Sequence, residues 1–140
     1  MDISASARIH RPVADVWRWY AVDHVRNHPR WDPDMTLDQV TPGPLGPGAR
    51  IRRRNTRWGT PIEGEMEITE WQPERLLGTH IRDANMEIGG LATLEPVSPN
   101  ETLLTITIDV PGLDAAKAEV MRERMHRTAD NVKRLIESDT

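Results

Sequence analysis

The sequence contains no cysteine and no phenylalanine among its 140 residues. The lack of thiols excludes disulfides, thiolate nucleophiles and cysteine metal ligands, and it makes a cytoplasmic location the expectation. No apolar run is long enough to cross a bilayer, and the first residues lack the basic and apolar regions of a signal peptide. The formal net charge of -4 argues against nucleic acid as a partner. We therefore expect one domain over residues 1–140, without membrane insertion.

Several motifs of known chemistry are also missing. No Gly-x-Ser-x-Gly turn presents a serine nucleophile, and the glycines from Gly43 to Gly48 are interrupted by prolines, unlike those of a phosphate-binding loop. His24 and His28 have the i, i+4 spacing of a helical zinc site. No glutamate follows His24, however, and no third ligand is evident. The sequence therefore predicts neither a metal site nor another cofactor.

A long amphipathic segment does stand out at residues 113–137. Its apolar side chains recur at steps of three and four, as on one face of a helix: Met121, Met125, Ala129, Val132 and Ile136. Asp114 at its start and Lys133 and Arg134 near its end suit the helix dipole. Because one helix cannot bury such a stripe alone, we expect a sheet beside it.

The preceding residues supply that sheet. Residues 3–9 alternate as a half-buried strand, Pro12 begins a short helix, and a second short helix is predicted at residues 24–31. Six further strands are predicted at residues 35–41, 50–55, 62–67, 76–82, 86–94 and 104–110. The predicted order is a strand, two short helices, six strands and the long helix.

The third and fourth strands can be aligned by their charges. One antiparallel register pairs Arg54 with Glu63, Arg52 with Glu65 and Arg50 with Glu67 on a single face. The other face must point inward, and it carries Arg53 opposite Gly64. A buried guanidinium needs an anionic partner, which could be a ligand or an internal carboxylate such as Glu70.

The fifth and sixth strands are aligned by their loop. A three-residue loop at 83–85 is predicted, because Asn85 tolerates the left-handed conformation. This loop places His80 and Arg82 opposite Ile88 and Met86, which face inward. An inward His80 could act as a general acid or base, or it could merely donate to a backbone carbonyl.

Six segments, taken in order, carry a resemblance to a known family: RPVADVW (11–17), WDP (31–33), GPLGPGAR (43–50), ITEWQPERL (68–76), LEP (94–96) and RTADNVKRL (127–135). They resemble the START-related SRPBCC superfamily, specifically its polyketide cyclase/dehydrase-like members. The resemblance implies an α+β helix-grip fold, in which a curved seven-stranded antiparallel sheet surrounds the C-terminal helix and two short helices after strand one close an end. It also implies a hydrophobic cavity between the sheet and the long helix.

The candidate site residues follow from these placements. His80 and Arg53 are the candidate catalytic residues. The predicted ligand-binding residues are Trp17, Trp31, Ile51, Met66, Ile68, Arg82, Met86, Ile88, Ile106, Met121 and Met125. The tryptophans could clamp a planar ligand or seal the core, and the methionines could line the pocket or fill the core.

Two functions remain open at this point. In the first, the cavity binds a hydrophobic small molecule, such as a lipid or a polyketide-like aromatic compound, without changing it. In the second, a cyclase/dehydratase-type, lyase-like enzyme uses the same cavity without a cofactor, positioning a reactive chain and moving a proton. The expected partner is in both cases a hydrophobic small molecule, and the protein is expected to be a monomer or a homodimer.

Overall fold

The computed structural model describes residues 2–57 and 59–140. Its strands are β1 (Asp2–Ile9), β2 (Met35–Gln39), β3 (Arg50–Asn55), β4 (Ile62–Gln72), β5 (Leu76–Asp83), β6 (Met86–Ser98) and β7 (Glu101–Asp109). Its α-helices are α1 (Val13–Trp17), α2 (His24–Trp31) and α3 (Ala115–Asp139), and a π-helical segment (Arg18–Val22) joins the first two. We call residues 13–31 the plug helices.

The strands form one antiparallel sheet in the order β1-β7-β6-β5-β4-β3-β2. Strands β1 and β2 are therefore its edges. We call the face toward α3 the inner face. The sheet, the long C-terminal helix and the short helices after β1 confirm the predicted helix-grip architecture.

The charge-based register of β3 and β4 is confirmed at every predicted pair. Arg50, Arg52 and Arg54 are exposed on the outer face, opposite glutamates of β4. Ile51 and Arg53 are buried on the inner face. The pairing of opposite charges across the two strands was therefore sufficient to predict this register.

The predicted loop between β5 and β6 is wrong by one residue. The loop contains two residues, Ala84 and Asn85, because Asp83 pairs directly with Met86. Ala84, and not Asn85, adopts the left-handed backbone conformation, with φ 54°. Tolerance of asparagine for that conformation was therefore a misleading guide to the loop length.

This one-residue difference reverses the predicted faces of β5, since neighbouring side chains of a strand point to opposite faces. Ile81 faces inward opposite Ile88, whereas His80 and Arg82 lie on the outer face. There Arg82 Nε donates to Glu87 Oε1 at 3.0 Å, and His80 Nε2 lies 4.0 Å from the same oxygen. The predicted inward placement of His80 and Arg82 is therefore wrong.

A bulge in β4 also changes which side chains face inward. The pairing with β5 shifts between Ile68 and Glu70, so that Glu70 lies opposite Gly78 and Trp71 lies opposite Leu77. An extra residue in one strand reverses the face on which each later side chain of that strand lies. Trp71, which would otherwise lie on the outer face, therefore lies on the inner face.

Helix α3 begins two residues later and ends two residues later than predicted. Asp114 is its N-cap, and the carboxylate accepts a hydrogen bond from the backbone N–H of Lys117 at 2.8 Å. This satisfies one of the amides that a helix start leaves without a partner. The predicted apolar stripe is buried from Met125 to Ile136, whereas Met121 is only half-buried.

The C-terminal end of α3 is fixed by several polar contacts. Asp139 accepts hydrogen bonds from Arg30 at 3.1 Å and from the indole Nε1 of Trp19 at 2.8 Å, both on the plug helices. Arg11 donates to the backbone carbonyl of Glu137 at 2.6 Å. Because the helix also packs chiefly against β1, its C-terminal half is held by the sheet edge and the plug helices together.

Candidate ligand-binding cavity

A cavity of about 870 Å³ lies between the inner face of the sheet and α3. This volume is in the range of small-molecule binding sites. Met86 of β6 and Arg127 of α3 line the cavity and are exposed. The opening therefore lies between the β5–β6 hairpin and α3.

The cavity wall is mostly apolar. Seven of the predicted ligand-binding residues line it: Trp31, Met66, Met86, Ile88, Ile106, Met121 and Met125. The inward residues Leu77 and Ile81 of β5 also line the wall and were not predicted as ligand-binding residues. Strand parity could have found them, had the β5–β6 loop been assigned its actual length.

Four predicted ligand-binding residues lie elsewhere. Ile51 and Ile68 are fully buried in the core and are not part of the cavity wall. Trp17 packs edge-on against Trp71, with ring centroids 5.0 Å apart, and helps to close the core. Arg82 is on the outer face, as is the candidate catalytic residue His80.

Arg53 is the deepest charged group on the sheet side of the cavity. Its Nε and Nη2 atoms donate to the two carboxylate oxygens of Asp83, each at 3.1 Å. Both residues lie opposite Gly64, on the strands either side of β4. A Cβ atom at Gly64 would lie 1.9 Å from Asp83 Oδ1, so the glycine provides the space in which the pair forms.

The suggested partner of Arg53, Glu70, is wrong because the β4 bulge leaves Glu70 on the outer face. Asp83 was overlooked because the predicted three-residue loop included it, whereas it ends β5. The ion pair is largely shielded from solvent: the exposed fractions of the two side chains are 8% for Arg53 and 13% for Asp83. A bidentate contact between a guanidinium and a carboxylate is among the stronger charged interactions in proteins.

The plug helices supply an aromatic end to the cavity. The rings of Tyr20 and His28 both stack on Trp31, with interplanar angles of 7° and 12°. His24 meets Trp31 edge-on at 5.6 Å. All four side chains line the cavity. Only Trp31 was predicted here, because the i, i+4 spacing of the histidines indicates a helical metal site and not an aromatic cluster.

The two histidines of this cluster are hydrogen bonded to each other. His28 Nδ1 lies 3.0 Å from His24 Nε2, and His24 Nδ1 lies 2.9 Å from the carbonyl oxygen of Tyr20. Burial, together with the positive charge of Arg53, lowers the pKa of His24 to about 4 despite the opposing effect of the Tyr20 carbonyl. The pKa of His28 is also well below its usual value, because of burial and the neighbouring His24, Arg53 and Arg57. Both rings are therefore neutral at pH 7.

Charged residues surround the cavity near this aromatic end. Arg57 donates to Asp32 at 2.5 Å and lies 3.9 Å from Asp34. Arg124 of α3 faces the same groups, and burial together with Arg57 lowers its pKa. The cavity thus combines an apolar wall with a few charged groups that are mostly paired.

A smaller groove of about 460 Å³ lies on the outside of the plug helices. Its lining includes Arg30, Trp19 and Asp139, which bind one another. These contacts hold α3 in place. The groove has no apolar wall comparable to that of the larger cavity, which is the candidate site.

Among the described residues, no cluster of three or more His, Asp or Glu side chains could hold a metal ion. Within the same residues, no helix is both long and apolar enough to cross a membrane.

Solved structures share this architecture at low sequence identity. The protein TTHA0849 from Thermus thermophilus is 14% identical with a TM-score of 0.76, the alignment covering 100% of this chain and 99% of that one. The Zhui aromatase/cyclase from Streptomyces sp. R1128 is 15% identical with a TM-score of 0.73, covering 98% and 93%. The di-domain aromatase/cyclase BexL is 21% identical with a TM-score of 0.73, and the match covers 98% of this chain but 46% of that one.

These likenesses establish the fold. No curated protein matches the chain in sequence. A family model described as "Polyketide cyclase / dehydrase and lipid transport" does match, over residues 1–137. The chain therefore belongs to the polyketide cyclase/dehydrase and lipid-transport family.

Proposed function

We propose that this protein binds a hydrophobic small molecule, a lipid or a polyketide-like aromatic compound, in the cavity between the sheet and α3. The observation that carries the proposal is the cavity itself: about 870 Å³ with a wall of aliphatic and methionine side chains. Binding of an apolar ligand in such a cavity is favoured by about 25 cal/mol for each Å² of apolar surface that is removed from water. Methionines at the wall can adapt to ligands of different shape.

The proposal is tested by placing a larger side chain of β6 in the cavity. Ile88 points into the space, whereas its neighbour Glu87 is exposed on the outer face. Ile88→Trp should weaken the binding of a hydrophobic fluorescent dye by at least tenfold, and Glu87→Trp should leave it unchanged. Native mass spectrometry of the wild type should detect any hydrophobic compound that co-purifies. Equal dye binding by both variants would contradict the proposal.

A cyclase/dehydratase-type enzyme is the second candidate function, and Arg53 is the observation that favours it. A buried guanidinium at a cavity wall can stabilise the negative charge of an enolate, since water does not screen it there. Most of the rate would come from holding a flexible poly-ketone chain in one geometry. Binding remains the first proposal, because Asp83 already neutralises this charge.

The enzyme hypothesis is tested by removing the charge without leaving its partner buried alone. The double variant Arg53→Met, Asp83→Leu should turn over a poly-β-ketone thioester at least a hundredfold more slowly than the wild type if Arg53 stabilises the enolate. The comparison is made on product formation followed by chromatography. Unchanged turnover would exclude Arg53 from the mechanism.

A further inference from the structure

The hydrogen bonds of the histidine pair define where every proton of the pair is located. A carbonyl oxygen only accepts, so His24 Nδ1 must donate to the Tyr20 carbonyl. A neutral His24 then has no hydrogen on Nε2, and this atom must accept from His28 Nδ1, 3.0 Å away. A neutral His28 in turn has no hydrogen on Nε2. The chain of hydrogen bonds thus ends on an unprotonated nitrogen.

That terminal nitrogen is open to the cavity. The described residues provide no hydrogen-bond partner for His28 Nε2. Among these residues, no side-chain nitrogen or oxygen is both fully buried and unpaired. The unpaired Nε2 atom must therefore have accessible surface. His28 is half-buried and lines the cavity. Its ring is held in orientation by stacking on Trp31, with centroids 4.6 Å apart. The lone pair is therefore accessible and oriented before a ligand arrives.

We propose that His28 Nε2 is a fixed hydrogen-bond acceptor that selects ligands carrying a hydroxyl group, such as a phenol or an enol, at the aromatic end of the cavity. This inference rests on the proposed function and adds a requirement for the ligand. His24 acts as a positioning residue, since both of its ring nitrogens are already hydrogen bonded and it fixes the tautomer of His28. The nearby Arg53 and Arg57 supply only donors, so they cannot replace the acceptor.

The surroundings favour hydrogen bonding over proton removal. Moving a proton from the ligand to His28 would create an imidazolium cation near Arg53 and Arg57, which burial and like charge disfavour. The hydroxyl hydrogen therefore stays on the ligand oxygen while it is shared with Nε2. Such a contact discriminates against an ether of the same shape, which has no hydrogen to donate.

The test compares 2-naphthol with 2-methoxynaphthalene, which differ in that one hydrogen donor. Binding is measured by isothermal titration calorimetry for the wild type, for His28→Phe, which keeps a ring on Trp31, and for the exposed control His126→Phe. We expect the wild type and His126→Phe to bind 2-naphthol about fivefold more tightly than the ether, as one neutral hydrogen bond provides. His28→Phe should bind both probes alike.

A second measurement does not depend on the stability of any variant. Long-range 1H–15N NMR spectra of the wild type distinguish protonated from unprotonated ring nitrogens, and they should show His28 with hydrogen on Nδ1 alone. A hydrogen on Nε2 would overturn the inference. Equal affinity of the wild type for the two probes, or a preference that persists in His28→Phe, would also overturn it while leaving the proposed function intact. If neither probe bound, the inference would fail, and the dye titration of Ile88→Trp would decide whether the proposed function fails with it.

Discussion

The burial of His24 predicts a specific loss of stability in acid. Burial and Arg53 lower the pKa of His24 from 6.5 to about 4, and the side chain is only 5% exposed. Below pH 6.5 the unfolded chain takes up a proton at this position that the folded protein does not. The free energy of unfolding must therefore decrease as the pH falls from about 6.5 to about 4.

The magnitude follows from the two pKa values. Between pH 7.5 and pH 5, His24 should cost about 2 kcal/mol of stability, most of the roughly 3 kcal/mol that its full shift represents. His28 contributes in the same direction, since its pKa is also lowered. Because other parts of the protein also respond to pH, the contribution of His24 is isolated by comparison with a variant.

The variant His24→Asn has no titrating group and keeps an N–H for the Tyr20 carbonyl. Urea unfolding at pH 7.5 and at pH 5, followed by tryptophan fluorescence, gives the stability of each protein at each pH. The wild type should lose about 2 kcal/mol more than His24→Asn between the two pH values. His126→Asn, a change at an exposed histidine, should behave as the wild type. Equal losses in the wild type and His24→Asn would refute the assigned environment of His24.

Three further predictions concern groups around the cavity and α3, all measured by urea unfolding. Asp83→Asn should destabilise the protein by about 3 kcal/mol because it leaves Arg53 buried without a counter-charge, and combining Asp83→Leu with Arg53→Met should recover most of that loss. Gly64→Ala should cost about 2 kcal/mol or more, since its methyl group would overlap Asp83, whereas Gly89→Ala, whose nearest neighbour would lie 3.7 Å away, should cost about 1 kcal/mol or less. Asp139→Asn should cost only about 0.5–1 kcal/mol at pH 7, because the contact between Asp139 and Arg30 is partly exposed. Hydrogen bonds from the plug helices lower the pKa of the Asp139 carboxyl to about 2. The stability advantage of the wild type over Asp139→Asn should therefore persist above pH 4 and disappear as the pH falls toward 2. Equal effects of the two glycine variants, no recovery in the double variant, or an Asp139 effect that is unchanged at pH 2 would each contradict the corresponding contact.

The sequence predicted those parts of the fold in which one pattern decides the structure. The β3–β4 register followed from the opposite charges of the two strands, because a shift of one residue would have separated all three Arg–Glu pairs and buried three arginines. The long helix followed from an apolar stripe that no other structure would bury. Both are local patterns, and both were sufficient.

The candidate site was less predictable, because it depends on contacts between distant elements. One residue of loop length decided whether His80 or Ile81 faced inward, and composition did not distinguish the two. Arg53 was correctly placed inward, but its partner depended on the β4–β5 pairing and the bulge. The i, i+4 spacing of His24 and His28 was visible in the sequence, whereas their orientation is set by the Tyr20 carbonyl and the Trp31 ring.

The polar contacts at the C-terminal end of α3 couple the position of the plug helices to the width of the cavity opening. The helix is about 37 Å long, and its C-terminal end is held by Asp139 and by the Arg11 contact to the Glu137 carbonyl. A tilt of about 5° at that end would move the Ala115 end by about 3 Å, because displacement grows with distance along a rigid rod. A small change in the angle at which α3 meets the plug helices would thus produce a larger displacement of the helix at the cavity opening.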